Sequence, residues 1–344
     1  MRKVLNVNHV VLFRRCHGFS LVELMVALVI TLILLAGIGQ IYLSSKKSFT
    51  IQDTLGRQQE NGRYAVEVIA QDVRRTSYWG GNADIDYISG TVGMVHDDGT
   101  CKTSDNSWGR MLDRPIFGKN NTNSGYVCIP NGNYLGSDIL VVRYQAPWQV
   151  PSQTTPSFES NRLYLRSALT ASGGALGRVF EGKDADDASN DMDLDTSTPP
   201  EPSERVAELI SHGYYIGPSG STCRGSTVPS LFRVTLNENG IPEAEEIASG
   251  VERFEVRYGV DVDGDKSVDE YRCAAGTAEA GCPTMGASDW GNVVAVQFWL
   301  LTRAQCPETG YTNDTAYNMP GVAGAFNDGY RRQLYTTTVM LRNR

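Results

Sequence analysis

The chain has 344 residues, with 39 acidic side chains against 31 Lys and Arg and a formal charge of −8. An acidic balance argues against DNA or RNA as the main partner. No G-x-S-x-G elbow, P-loop, H-E-x-x-H helix or dinucleotide fingerprint occurs in it, and with four histidines in the whole chain we read it as a protein that is not an enzyme and requires no cofactor.

The first element is a helix. From Phe19 to Leu43 the side chains are overwhelmingly apolar and Glu23 carries the one charge. About 20 apolar residues in a helix cross a bilayer. An acid inside hydrocarbon costs several kcal/mol, about 2.5 to 3.5 on the insertion scale, so Glu23 needs a reason to be there. A secretory signal would carry a small-residue cleavage site after the apolar run, and Gly37-Ile38-Gly39 is the best available. A plain anchor fits better, because Arg2, Lys3, Arg14 and Arg15 precede the run and would stay in the cytoplasm, while Lys46 and Lys47 follow it. Neither reading accounts for Glu23.

The order of residues at the start of the run does. Gly18-Phe19-Ser20-Leu21-Val22-Glu23, with basic residues before and the apolar run after, resembles the processing site of type IV prepilins and type II secretion pseudopilins. The resemblance implies cleavage by a prepilin peptidase after Gly18, N-methylation of the new terminus at Phe19, and retention of Glu23 in the span. Four residues at ~1.5 Å rise place Glu23 one helical turn beyond the new amine. Helices staggered by that turn can pair the carboxylate of one with the ammonium of the next, each charge compensating the other at low dielectric. Glu23 thus reads as an assembly register, with pairing to its own Phe19 amine as the alternative.

The helical period continues past the membrane. Ile51, Leu55, Ala65, Val66, Val68, Ile69 and Val73 recur with polar residues between, so one helix is expected from Phe19 to about Arg75, with Gly37, Gly39, Gly56 and Gly62 as candidate bends. The expected organisation is a cleaved basic leader (1–18), a transmembrane half-helix (19–43), an amphipathic half-helix (44–79) and a β-rich globular domain (80–344). Loss of the leader leaves 27 basic residues against 39 acidic, a balance of −12, and removes Cys16. Six cysteines in an exported domain suggest disulfides and admit 15 pairings. Short separations favour Cys101 with Cys128 and Cys273 with Cys282, which leaves Cys223 with Cys306.

Strand-like runs then follow in chain order from Ser137, Arg162, His212, Ser230, Arg253, Asn292 and Arg332. In the run from Arg253, Phe254, Val256, Tyr258 and Val260 share one face, which suits a half-exposed strand; Val293 to Leu301 is apolar on both faces and suits a central one. The fold class expected is α+β, a long N-terminal helix packed on a C-terminal antiparallel sheet. Residues 91–133 and 171–204 read as long loops or insertions, and 184–195 as a solvated acidic loop. Asp261, Asp263 and Asp265 alternate as EF-hand ligands do, with Ser267 and Asp269 continuing the spacing, although Lys266 stands where that loop has glycine and Arg272 where it has glutamate; a tight Asp263-Gly264 turn explains the same letters without Ca²⁺.

The blocks ASGVERFEVRYGVDVDGD, NVVAVQFWLLTR and YRRQLYTTTVMLRNR resemble PilW-type minor pilins. That resemblance implies a low-abundance subunit that primes or assembles a type IV pilus near its tip and supports twitching motility and surface attachment. A minor pseudopilin of type II secretion and an adhesive tip module are the alternatives. The partners implied are other minor pilins and the major pilin, the inner-membrane assembly platform, the prepilin peptidase, a tip adhesin-like protein and inner-membrane lipid. The location implied is a single-pass inner-membrane protein with its N-terminus in the cytoplasm and its domain in the periplasm or, in the pilus, outside the cell.

Overall fold

The computed structural model describes residues 18–80, 85–92, 101–102, 105–148, 158–168, 177–184 and 204–343. The chain divides into two units, residues 1–53 and 54–344. A single helix, α1 (Leu21–Arg75), belongs to both. His96 and nearly all of the acidic stretch 184–195 lie outside the described residues.

In the first unit α1 is apolar on every side as far as Leu43, and Leu24, Leu28, Leu35 and Leu43, with Phe19 just before the helix, are all exposed. It is long and apolar enough to cross a membrane, and a helix apolar all round belongs in lipid or among other helices. Thr31 donates its hydroxyl to the Ala27 carbonyl at 2.7 Å and so carries no unmet polar group into that environment.

In the second unit the helix becomes one-sided. Gln58, Gly62, Ala65, Ile69, Asp72 and Val73 are buried, at the three- and four-residue spacings that share a helix face. They meet two sheets. The larger joins β1 (Ile88–Ser89), β5 (Gly177–Glu181), β4 (Leu163–Ala168), β6 (Glu204–Cys223), β3 (Ile139–Gln145) and β2 (Ile116–Lys119) in that order, with β7 (Ser226–Leu236) on β6 and β8 (Pro242–Ser249) on β7. The smaller has the order β10 (Glu270–Arg272), β9 (Val251–Val260), β11 (Val293–Arg303), β12 (Arg332–Met340), all antiparallel. The fold is thus α+β, with two sheets in place of the one expected and a parallel pair, β1 with β5.

The central strand β11 is buried nearly throughout, as its two apolar faces require. Strand β9 departs from expectation. Phe254, Val256, Tyr258 and Val260 do point into the core, but Glu255 on the opposite face is only 2% exposed. Trp299 stands opposite Glu255 on β11 and packs with Leu301 and Met319, so a second small core covers the face that the alternation assigned to water. Gly62 likewise is not a bend. A Cβ there would stand 2.4 Å from the Tyr335 ring, so the missing side chain admits an aromatic from β12.

Polar ties hold α1 to both sheets. Gln58 Nε2 donates to the Thr302 carbonyl at 3.0 Å and Asn61 Nδ2 to the Ser249 carbonyl at 2.9 Å. At the helix end, Asn343 Nδ2 donates to the Thr76 carbonyl at 3.1 Å and lies within reach of those of Arg74 and Arg75. The last residues of the chain thereby cap carbonyls that a helix C-terminus leaves unpaired.

The densest tie is Asp72. It accepts hydrogen bonds from Tyr144 Oη at 2.7 Å and Tyr214 Oη at 2.5 Å, and His212 Nδ1 lies at 2.5 Å. Burial raises the Asp72 carboxyl, but the bonds from His212, Tyr214 and Tyr144 outweigh it and hold the group below the ordinary carboxylate range. Nearby, the buried Arg143 guanidinium donates to the carbonyls of Trp108 at 3.0 Å and Arg114 at 2.7 Å and fastens the 107–115 segment to β3. Burial lowers Arg143 to about 10, still protonated at neutral pH.

The cysteines stand in three bonded pairs, Cys101–Cys128, Cys223–Cys306 and Cys273–Cys282. The second spans 83 residues and ties the end of β6 to the segment after β11, hence one sheet to the other.

Two predictions follow from these ties. Cys223→Ser with Cys306→Ser should lower the unfolding free energy of the detergent-solubilised chain by about 2 to 4 kcal/mol, read by denaturant titration without reductant; no change would mean that the crosslink constrains little. Asp72→Ala should cost about 3 to 5 kcal/mol, the usual loss when one partner of a buried pair is removed. Because the folded-state Asp72 carboxyl is depressed, its contribution is present above the ordinary carboxylate range and is lost as pH falls through that range and below. The variant should accordingly show a shallower acid limb of stability against pH than the wild type.

Candidate functional site

The N-terminal unit holds Gly18, Phe19 and Glu23 at the head of α1. Phe19 is 85% exposed and α1 begins at Leu21. The Glu23 Oε2 accepts the Ser20 N–H at 3.4 Å. Ser20 precedes the first helical residue and Glu23 lies three residues after Ser20, so Ser-x-x-Glu forms the return arm of a capping box. That helix-start signature overlaps the prepilin-like one, and the Ser20-x-x-Glu23 spacing carries it in the sequence. A carboxylate in the first turn also opposes the positive end of the helix dipole. Glu23 therefore has a role within its own helix.

A bond of 3.4 Å is long for a charged acceptor, whose good partners lie nearer 2.8 Å. Glu23 is thus lightly held in its own chain. Around it, Leu21, Val22, Leu24, Met25 and Val26 are all exposed, so the acid is ringed by side chains that water disfavours. The surface is one for insertion and for packing against other apolar helices.

The second site anticipated lies in the turn between β9 and β10. Asp261, Asp263 and Asp265 do come together, with oxygens within 4.8 Å of one another. Asp269 does not join them, because its Oδ2 accepts the Val262 N–H at 2.7 Å. The other three are equally occupied. Asp261 accepts the N–H groups of Gly264 at 2.6 Å and Lys266 at 2.9 Å, Asp263 that of Asp265 at 3.2 Å, and Asp265 that of Ser267 at 2.7 Å. Gly264 has φ +85° and Lys266 φ +66°, and side-chain bonds of this kind are how aspartates hold a chain reversal through left-handed residues. The four aspartates hold a turn, and calcium is not supported there. A second group, Cys273, Glu279 and Cys282, also converges, but its sulfurs are bonded to each other and are not thiolate ligands.

Residues 213–343 match the family described as Type IV Pilus-assembly protein W, and residues 13–39 match the prokaryotic N-terminal methylation motif. No curated protein matches the chain. Among solved structures, a type IV-like pilin from Thermus thermophilus is similar, with 13% identity over 83% of this chain and 97% of that one and a TM-score of 0.35. The methylation motif covers Gly18, Phe19 and Glu23, and the assembly-protein match covers the second half of β6 and every later strand through β12. A methylation motif thus heads an exposed apolar helix at one end of the chain, and the other end is similar to the type IV pilus-assembly protein W family.

Proposed function

We propose that this chain is a membrane-anchored pilin subunit that enters the growing pilus through its N-terminal helix, beside other minor pilins, and helps to prime assembly near the tip. One observation carries the reading: a prepilin-type junction opens an apolar helix, and the same helix continues into a domain that carries the pilus-assembly match. That match favours the pilus over a type II secretion fibre. In this reading the peptidase cuts after Gly18 and the amine of Phe19 is methylated. The leader stays in the cytoplasm before assembly, and the domain lies in the periplasm and then on the fibre, where it supports twitching motility and attachment. The major pilin, the assembly platform, a tip adhesin-like protein and membrane lipid are its expected contacts.

Glu23 is the register in this proposal. Before assembly the Ser20 N–H shares its charge. On assembly the ammonium of a neighbouring Phe19 supplies a full opposite charge, and in a low-dielectric surrounding that pairing is far stronger than the long intrahelical bond. The switch from one partner to the other would make helix packing sensitive to axial position.

Two measurements test the proposal. Gly18→Val should block processing, so that intact mass after co-expression with the peptidase remains that of the precursor; a wild-type mature form starting anywhere but Phe19 would remove the basis of the reading. Glu23→Ala should insert and be cut normally, because the span becomes more apolar and Gly18 is untouched. It should instead lose co-purification with other minor pilins and reduce the number of surface fibres, since breaking a buried pair from one side costs about 3 to 5 kcal/mol. Normal association and normal fibre counts in Glu23→Ala would show that the carboxylate is not a register.

A further inference from the structure

A strand at the border of a sheet carries a row of backbone groups that its one neighbour does not meet, and native chains blunt such borders with short strands, charges, proline or bulges. Among the described residues the strands paired on one side only are β1, β2, β8, β10 and β12. Four of them are guarded. β1 has two residues and β10 three, and β2 has four, all buried. β8 is longer, but it begins at Pro242, carries Glu243, Glu245 and Glu246, and its ladder with β7 contains a register shift. β12 has none of these devices: it is nine residues long, with no charge, proline or glycine from Gln333 to Met340 and an unbroken ladder to β11.

The phase of that ladder decides which groups are free. Leu341 N–H donates to the Val294 carbonyl and Ala304 N–H to that of Arg331, both at 2.8 Å. Residues facing each other in an antiparallel pair alternate between bonded and unbonded. With Thr336 opposite Trp299, the residues that bond to β11 are therefore Gln333, Tyr335, Thr337 and Val339. The N–H and C=O groups of Leu334, Thr336, Thr338 and Met340 point away from it. Among the described residues no hydrogen bond meets these groups. The side chains of Thr336, Thr338 and Met340 are exposed as well.

We infer that the open edge of β12 takes an antiparallel strand from a different subunit of the same fibre, a partner recognised by its extended backbone; the inference rests on the pilin reading. Strand addition of this kind draws its affinity from main-chain bonds, and alternate side chains set the fit. Thr336, Thr338 and Met340 carry no charge, so they suit a partner strand that is uncharged where it faces them. A second copy of this chain does not fit. β12 runs beside α1 in the same direction, with Gln58 Nε2 3.4 Å from the Arg331 carbonyl, Gly62 against the Tyr335 ring, and Asn343 bonded to the Thr76 carbonyl. Two copies paired antiparallel through β12 are related by a two-fold axis, which turns their helices in opposite directions. Subunits whose helices enter one membrane side by side share one direction. The edge therefore calls for a chain whose own border strand runs against its N-terminal helix.

The test co-expresses the full chain with each of the other minor pilins of its pilus, purifies in detergent, and reads co-purification and amide hydrogen exchange. The amides of Leu334, Thr336, Thr338 and Met340, open in the chain alone, should become protected in the complex, whereas those of Tyr335 and Thr337 should be protected in both states. Thr338→Pro removes an outward donor and spares the ladder to β11, a position where an edge strand tolerates proline. It should keep the wild-type Tm and lose both the protection and the co-purification. Thr336→Pro serves in its place where the first variant does not fold, and if neither folds the wild-type amides decide. Thr338→Ala keeps every backbone group and should keep both signals. The inference is overturned if the four amides stay open in every complex, if proline leaves association intact, or if alanine abolishes it, since side chains would then carry the recognition. Protection that arises in the chain alone and grows with its concentration would make the occupant a second copy and overturn it too. A wild type neither cut at Gly18 nor retained by any minor pilin would remove the pilin reading and this inference together; retention without protection removes this inference alone.

Discussion

A carboxylate buried on a helix has to be met by donors, and in this protein that requirement joins distant parts of the chain. Asp72 lies 72 residues from Tyr144 and 140 from His212, yet all converge on its two oxygens. Apolar contact alone would let α1 slide or rotate on a sheet at small cost, because the hydrophobic effect has no direction. Three donors on one carboxylate do not permit that. The apolar residues Ala65, Ile69 and Val73 supply the burial, and Asp72 supplies the position. Tyr144 lies near the end of β3 and His212 and Tyr214 in the middle of β6, and the two strands pair with each other, so one helical residue also orders the centre of the larger sheet.

Two acids on the same helix illustrate opposite solutions to one problem. The domain completes the shell of Asp72 and holds it ionised. Glu23 has a single long bond from the neighbouring Ser20 N–H. A charge satisfied inside its own chain stabilises a fold, whereas a charge only partly satisfied favours association with whatever brings the missing partner. The pilin assignment gives that difference its meaning: one acid serves the subunit, and in the proposed assembly the other serves the fibre.

The junction of the sheets follows the same logic. The Asp138 N–H donates to the Phe254 carbonyl and the Asp138 carboxylate accepts the Val256 N–H, which continues the hydrogen bonding of β9 beyond the reach of β10, which pairs only with residues 258–260. A side-chain carboxylate thus completes a strand edge that would otherwise present unpaired N–H groups. The Cys223–Cys306 bridge closes the two sheets at another point. Cohesion between the layers is thereby distributed over polar and covalent links as well as the shared core.

The sequence by itself determined whatever depends on near neighbours along the chain. The helix from Leu21 to Arg75 is written in apolar spacing, the strands β3, β4, β7, β9, β11 and β12 in β-branched and aromatic alternation, and the prepilin-type junction in six consecutive residues. The turn at Asp263-Gly264 was legible for the same reason, since its bonds span no more than eight residues. Strands β1, β5 and β8 carry little such signal: the first is two residues long and β8 is interrupted by glutamates. Only the tertiary structure decided what meets across long separations. Gly62 looked like a helix weakness until Tyr335, 273 positions later, lay against it, and Glu255 looked like the wet face of a strand until the packing of Trp299 and Met319 covered it. Period reports which residues share a face, but the free energy of that face depends on what the rest of the chain brings to it.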